Sequence, residues 1–140
     1  MTETSKRPVT ITRESLGSYL AANGKGATLR FGSSTEETFS PVELLLVAVA
    51  GCSGMDLDYM TSRRAEPLLF KAVSEADYVK DETGNVLRDI RVTFSLAFPE
   101  GEGGDKARAR IASALKTSHD RTCTVSRTIE AGTKVTLLEA

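Results

Sequence analysis

The chain contains no tryptophan, and aromatic residues make up only 6% of its 140 residues. Proteins that bind single-stranded nucleic acids stack bases on aromatic side chains, so this shortage argues against such a role. The chain also has no large excess of positive or negative charge, since its formal net charge is -1. A nearly neutral chain has no general attraction to nucleic acid or to anionic lipid.

Long apolar runs are also scarce. The longest unbroken run, Leu44 to Ala50, has seven residues, whereas a membrane-spanning helix needs about 20. The N-terminal sequence MTETSKRPVTITRES has no apolar segment behind a basic start, which a signal peptide would have. We therefore expect a cytoplasmic protein without a membrane segment.

The predicted elements follow the order β-β-β-α-β-β-α-β. We expect a single domain that covers residues 1–140, and the first eight residues should form a loose tail. Because the strands cluster and do not alternate with helices, the pattern favours an α+β fold with antiparallel sheets. A turn is predicted at NGKG between the second and third strands, and a loop at Gly32 to Thr38 before the first helix. The predicted strands are Val9 to Arg13, Ser18 to Ala22, Ala27 to Phe31, Leu68 to Lys80, Val86 to Phe98 and Lys134 to Leu138.

Two helices are predicted. Ser40 and Glu43 form a capping box around Pro41, which suits the first helical position, and this helix should extend to about Arg64. Small residues along it predict a central, buried helix that a neighbour approaches closely. A second helix should begin at an Asp105 cap and extend to about Ser118. The expected packed face of the first helix comprises Leu45, Ala48, Val49, Cys52, Met55 and Tyr59.

The chain has two cysteines, Cys52 and Cys123. In the cytoplasm structural disulfides are rare, so two cysteines favour redox or catalytic chemistry. A cysteine in the middle of an apolar helix is nevertheless often only a small core residue, and it lies away from the helix N-terminus that lowers thiol pKa values. For Cys52, the small neighbouring residues and the second cysteine favour a reactive thiol. Both interpretations stay open from the residues alone.

Cys123 lies in the segment SHDRTCTVSR, just after the second helix. Arg121 and Arg127 could stabilise a thiolate there, and His119 lies four residues before the cysteine. An unreactive loop cysteine is the alternative. One histidine and two cysteines do not make a convincing zinc site. We therefore predict no metal and no cofactor.

Two separated motifs resemble the OsmC/Ohr family (osmotically inducible protein C and organic hydroperoxide resistance protein). They are FSPVELLLVAVAGCSGMDLDYM at residues 39–60 and SHDRTCTVSRTIEAGTKVTL at residues 118–137. The family pattern has a Pro-x-Glu-Leu-Leu helix start, a small-residue helix that ends in Ala/Gly-Cys, and a later Cys-Pro/Thr-Val-Ser. The order of elements is similar too, so the resemblance covers nearly the whole chain.

The resemblance implies an α+β fold with antiparallel sheets around a buried central helix, and an intertwined homodimer with its active sites at the subunit interface. It implies that Cys52 attacks the peroxide oxygen and becomes a sulfenic acid. Cys123 would then resolve the sulfenic acid to a disulfide. A dithiol reductant, with lipoylated proteins favoured in this family, would restore the thiols.

One position departs from the family pattern. Active members carry a glutamate ten residues before the reactive cysteine, where it holds an arginine over the thiolate, but Val42 occupies that position here. Glu43 lies one residue on, about 100° around a helix. Lys25 and Arg30 are the candidate cations from the N-terminal hairpin, and a lysine lacks the planar fork of arginine.

The sequence therefore supports two candidate functions. The first is a thiol-dependent peroxidase that reduces organic hydroperoxides in oxidative-stress defence. The second is an OsmC-like dimer with little peroxidase activity, which acts as a small-molecule-binding or stress-associated protein. Retention of both cysteines favours the first function, and Val42 favours the second.

Overall fold

The computed structural model describes residues 2–33 and 37–140. The chain forms two units, residues 1–45 and residues 46–140, and each is described by itself. Part of the loop predicted at residues 32–38 lies outside the described residues. That the whole chain is one domain stays a prediction.

The first unit contains a three-stranded antiparallel sheet in the order β1-β2-β3, which confirms the predicted meander. The turn between β2 and β3 is organised by Asn23, whose Oδ1 accepts hydrogen bonds from the N–H groups of Lys25 at 2.9 Å and Ala27 at 3.1 Å. Gly26 has a φ of +94°, which an L-residue rarely adopts. The strands are β1 (Val9–Ser15), β2 (Ser18–Asn23) and β3 (Thr28–Gly32).

Helix α1 (Pro41–Ser62) begins with the predicted capping box. The Ser40 hydroxyl accepts from the Glu43 N–H at 3.2 Å, and the Glu43 carboxylate accepts from the Ser40 N–H at 2.9 Å. The hydrogen bond from the Ser40 N–H, and after it the Ser40 hydroxyl beside the carboxylate, hold the pKa of Glu43 below its usual value. Glu43 therefore has a structural role at the helix start.

In the second unit, strands β4 (Leu69–Asp81) and β5 (Gly84–Ala97) form a long antiparallel hairpin. Gly54 of α1 packs closely against it, because a Cβ atom at this position would lie 3.6 Å from Phe94 Cε1 and 3.8 Å from Phe70 Cε1. The two rings meet edge to face, with centroids 6.1 Å apart. This contact fulfils the expectation that a small residue in α1 lets a neighbour approach.

In the single chain α1 is buried along one face only, and not around its circumference. Its buried residues are Val49, Gly54, Leu57 and Thr61. Met55 and Tyr59, which were predicted on the packed face, are 59% and 67% exposed. By length and composition alone, α1 is also apolar enough to cross a membrane, a property that core helices of soluble proteins share.

The second predicted helix starts earlier than expected. Helix α2 (Glu102–Thr117) is preceded by Gly101, whose φ of +120° turns the chain into the helix. The Asp105 cap is therefore wrong, since Asp105 already lies in the first turn and its N–H donates to the Gly101 carbonyl at 3.0 Å. Its side chain pairs with Arg108 instead.

The end of the chain also differs from the prediction. A π-helical turn (Ser118–Thr122) and a short helix α3 (Thr124–Glu130) follow α2. Residues 133–140, all of them described, form no strand, so the strand predicted at Lys134 to Leu138 is wrong for the single chain. A strand needs a partner for its backbone hydrogen bonds. Helix α3 was missed because its threonine, valine and isoleucine residues have low helix propensity.

Candidate active site

The structure brings together the two cysteines that the sequence singled out. Cys52 lies in the middle of α1, and Cys123 lies between the π-helical turn and α3. Both are free thiols, and they lie close enough for each to shift the pKa of the other. Such proximity is what a redox pair requires, because a disulfide can form only between neighbouring sulfurs.

The two thiols differ in exposure. Cys52 is half-buried, whereas Cys123 is 0% exposed. A dissolved oxidant can therefore approach the Cys52 sulfur, while Cys123 is shielded. This asymmetry matches the predicted order in which Cys52 is oxidised first and Cys123 reacts second, although the roles themselves stay predictions.

Hydrogen bonds from two helices surround the Cys123 sulfur. The Ser53 hydroxyl of α1 donates to it at 3.3 Å, and the Ser126 N–H of α3 donates at 3.4 Å. The Cys123 thiol itself donates to the Ser126 hydroxyl at 3.1 Å. Burial acts to raise the pKa of Cys123, but the Ser126 and Ser53 hydrogen bonds outweigh it and bring the pKa below its usual value.

For Cys52 the opposing effects give a raised pKa. Burial raises the pKa of the Cys52 thiol, and the neighbouring Cys123 raises it further. The backbone N–H groups of Val125 and Thr124 act in the other direction without overcoming these effects. Since the two thiols interact, they lose protons as a pair.

Asp56 fixes the segment that carries Cys123. It lies one turn after Cys52 on α1, and its Oδ2 accepts from the hydroxyls of Ser118 and Thr122, each at 2.8 Å. The Cys123 N–H in turn donates to the Ser118 carbonyl at 2.8 Å. Sequence reasoning missed this cluster, although the spacing of four residues between Cys52 and Asp56 places both on the same side of α1.

A cavity of about 180 Å³ lies near the thiols, although neither cysteine lines it. Two lining residues connect it to them: Val49 precedes Cys52 by three residues on α1, and the Ser126 hydroxyl accepts from the Cys123 thiol. Its lining combines three aliphatic with three polar side chains. The lining residues are Val49, Ile90, His119, Ser126, Ile129 and Glu130.

The polar side of the cavity is a small charge cluster. His119 Nδ1 lies 3.0 Å from Asp120 Oδ1, and its Nε2 lies 2.9 Å from Glu130 Oε2. The carboxylates of Asp120 and Glu130, in that order, raise the pKa of His119 above its usual value. Within residues 2–33 and 37–140, no group of three His, Cys, Asp or Glu side chains is arranged to hold a metal ion.

The three supporting residues predicted from the sequence lie in the first unit, whereas Cys52 lies in the second. Arg30 forms a two-point ion pair with Glu14, with Nε 3.0 Å and Nη2 3.2 Å from its carboxylate oxygens. Glu43 caps α1, and Lys25 lies in the β2–β3 turn. Roles for these residues at the thiols therefore stay predictions.

Known proteins resemble this chain in sequence and in fold. The model of the family described as OsmC-like protein matches residues 34–138. An uncharacterized protein of Mycobacterium tuberculosis is 30% identical over 120 residues, which cover 85% of each chain.

Two solved structures share the fold. A hypothetical protein from Aquifex aeolicus has a TM-score of 0.72 at 22% identity, covering 94% of this chain and 92% of its own. The organic hydroperoxide resistance protein OhrB of Bacillus subtilis has a TM-score of 0.52 at 16% identity, covering 89% and 90%. At these identities the likeness establishes the α+β fold.

Proposed function

The chain belongs to the OsmC family, and from that premise we propose that it is a cytoplasmic thiol-dependent peroxidase that reduces organic hydroperoxides in oxidative-stress defence. The observation that carries the proposal is the proximity of Cys52 to Cys123, the only two cysteines of the chain. A lone oxidised cysteine stops at the sulfenic acid or is overoxidised. A neighbouring thiol instead converts the sulfenic acid to a disulfide, which a reductant can reopen.

The reaction has three balanced steps. The Cys52 thiolate attacks the terminal oxygen of the hydroperoxide, the O–O bond breaks, and the alkoxide leaves and is protonated to the alcohol. Cys123 then attacks the sulfenic sulfur, so that the S–S bond forms while the S–O bond breaks and water leaves. Finally, a dithiol reductant, for which we favour a lipoylated protein, reduces the disulfide by thiol–disulfide exchange and becomes a disulfide itself.

The cavity supports an organic substrate. Val49, Ile90 and Ile129 offer apolar surface near the thiols, and such surface favours an alkyl group over water. Hydrogen peroxide has no apolar part that could use it. OhrB of Bacillus subtilis, which shares the fold, is named for organic hydroperoxide resistance.

We also propose that two copies form a homodimer. Apolar side chains of α1 stay exposed in the single chain, among them Val47 at 50%, Met55 at 59% and Tyr59 at 67%. Contiguous apolar surface of this kind is usually covered by a partner. Light scattering should give twice the chain mass of 15.0 kDa, whereas a folded monomer at micromolar concentration would contradict the dimer.

One observation favours the second candidate function. Burial and the neighbouring Cys123 raise the pKa of Cys52, which leaves less of the nucleophilic thiolate at neutral pH. A protein with such a thiol could bind an apolar small molecule in the same cavity and reduce peroxides only slowly.

Steady-state turnover distinguishes the two functions. The purified protein is supplied with cumene hydroperoxide or hydrogen peroxide, and with dithiothreitol or a lipoylated protein as the reductant. The peroxidase proposal predicts turnover that is faster with cumene hydroperoxide and that is absent in Cys52→Ser. Stoichiometric binding of cumyl alcohol without peroxide turnover would instead support the small-molecule-binding function.

A further inference from the structure

The buried cysteine, and not the accessible one, is where hydrogen bonds converge. Ser53 approaches the Cys123 sulfur from α1, and Ser126 approaches it from α3 with both its N–H and its hydroxyl. Cys52 lies close enough to act on the pKa of Cys123. Ser53 and Ser126 have no part in the peroxidase steps as described above.

We propose that Ser53 and Ser126 are positioning residues that hold the Cys123 sulfur as the hydrogen-bond acceptor of the thiol pair, so that Cys123 is ready as the attacking sulfur of the resolving step. The inference rests on the proposed function, in which Cys52 becomes the sulfenic acid. It adds that neutral serine donors, and not a cation, prepare the resolving sulfur.

The chemistry of the resolving step explains why hydrogen-bond donors at Cys123 are useful. The Cys123 thiolate must supply an electron pair to the sulfenic sulfur of Cys52; the S–S bond forms, the S–O bond breaks, and the departing hydroxide takes a proton from solvent to become water. A serine hydroxyl can rotate, so Ser126 can accept from the neutral thiol and donate to the thiolate. Hydrogen bonds to an ionised acceptor are stronger than those to a neutral one, so these donors favour the thiolate.

The geometry also holds the Cys123 sulfur in place before any oxidant arrives. It accepts from the Ser53 hydroxyl and the Ser126 N–H and donates to the Ser126 hydroxyl. When an oxidant converts Cys52 to the sulfenic acid, the attacking sulfur is already adjacent and already hydrogen-bonded. We therefore expect fast resolution and little overoxidation of Cys52.

The first experiment is a pH titration of thiolate ultraviolet absorbance, which needs no peroxide. A low-pKa thiolate should remain in Cys52→Ser and disappear in Cys123→Ser. In the Cys52→Ser background, Ser53→Ala and Ser126→Ala should each reduce the thiolate fraction at neutral pH about tenfold. Ser53→Thr, which keeps the hydroxyl, should restore it, and Ser62→Ala, another serine on α1, should have no effect.

The second experiment separates the inference from the proposed function. With both cysteines in place, the Ser53→Ala protein should form the sulfenic acid at the wild-type rate with cumene hydroperoxide. Its disulfide should then form at least about tenfold more slowly, with more overoxidised Cys52 by mass spectrometry. If the titration shifts but wild-type protein does not react with peroxide, the proposed function and the resolving role fail. A titration that the serine substitutions do not move would overturn the inference even if turnover is intact.

Discussion

The N-terminal sheet and the thiol site stabilise charge in different ways. In the first unit, charged side chains have local partners: Arg30 pairs with Glu14 on the neighbouring part of the sheet, and Glu43 accepts from the Ser40 N–H. At the thiol site, the groups that act on the two pKa values are backbone N–H groups, serine hydroxyls and the other thiol. Neutral hydrogen-bond donors thus favour the charged form of a thiol, whereas in the sheet a charged side chain is stabilised by an ion pair.

The difference bears on the departure at Val42. By the family resemblance a glutamate at that position is expected to hold an arginine, whereas the shifted Glu43 is occupied in capping α1. A thiol site that uses hydroxyl and amide donors does not depend on such a pair. Because neutral donors stabilise a thiolate less than a nearby cation does, we expect slow attack by Cys52 and efficient resolution by Cys123.

The largest expected effect comes from removing the thiols. Cys52→Ser should reduce hydroperoxide turnover to the uncatalysed rate, because no sulfur remains where the oxidant has access. Cys123→Ser should still form the Cys52 sulfenic acid with one equivalent of cumene hydroperoxide, and further equivalents should overoxidise it, since the resolving partner is gone. Turnover is followed by the loss of hydroperoxide, with Ser62→Ala as the control. Intact turnover in Cys52→Ser would remove the basis for the whole site.

A smaller effect is expected at the carboxylate that holds the π-helical turn. Asp56→Ala leaves the buried Ser118 hydroxyl without its acceptor, which should lower the free energy of unfolding by about 2 kcal/mol. Asp58→Ala is the matched control, since Asp58 accepts only from the exposed Ser62 and should change stability by less than about 0.5 kcal/mol. Urea unfolding gives both values. Equal losses would show that the Asp56 hydrogen bonds do not stabilise the fold.

The charge cluster at His119 should make stability depend on pH. The raised pKa of His119 means that its ion pairs with Asp120 and Glu130 stabilise the folded chain fully below the ordinary histidine pKa of about 6.5. This contribution is lost as the pH rises through the raised folded-state pKa. The melting temperature of wild type should exceed that of His119→Gln at low pH, and the gap should narrow at higher pH. A gap that widens with pH would contradict the ion pairs.

The smallest effects are expected from the cations of the first unit. In a Cys123→Ser background, iodoacetamide alkylation of Cys52 should accelerate with pH, because burial raises the pKa of this thiol. Arg30→Ala and Lys25→Ala should leave the profile in place if neutral donors govern the thiols. Glu14→Ala is the control, since it breaks the exposed Arg30 pair, which is worth less than about 1 kcal/mol. A shift in Arg30→Ala alone would identify Arg30 as an activating cation.

The sequence predicted local elements better than it predicted contacts. The β1–β3 meander and the capping box at Ser40 depend on neighbouring residues, and both are confirmed. Asp105 was misassigned because a positive φ at Gly101, which no side chain signals, starts α2 early. The strand predicted near Leu137 requires a partner that the alternating pattern alone cannot supply.

The thiol site shows the same limit. The family pattern singled out Cys52 and Cys123, and the structure brings them close together. Ser53 and Asp56 were not predicted, because serine and aspartate are common in polar segments and these two acquire a role only when distant segments pack together. Their hydrogen bonds to Cys123 and to Ser118 join residues that are far apart in the chain. Ser126 was also missed, although it lies only three residues from Cys123.

The central claim is that Cys52 and Cys123 form one redox pair that an organic hydroperoxide oxidises. It is tested most directly by adding one equivalent of cumene hydroperoxide to the fully reduced protein and mapping the cysteines by peptide mass spectrometry. The account predicts an intramolecular Cys52–Cys123 disulfide, with one equivalent of cumyl alcohol released and reversal by a dithiol. Two thiols that remain reduced, or a disulfide that joins Cys52 of two chains, would contradict it.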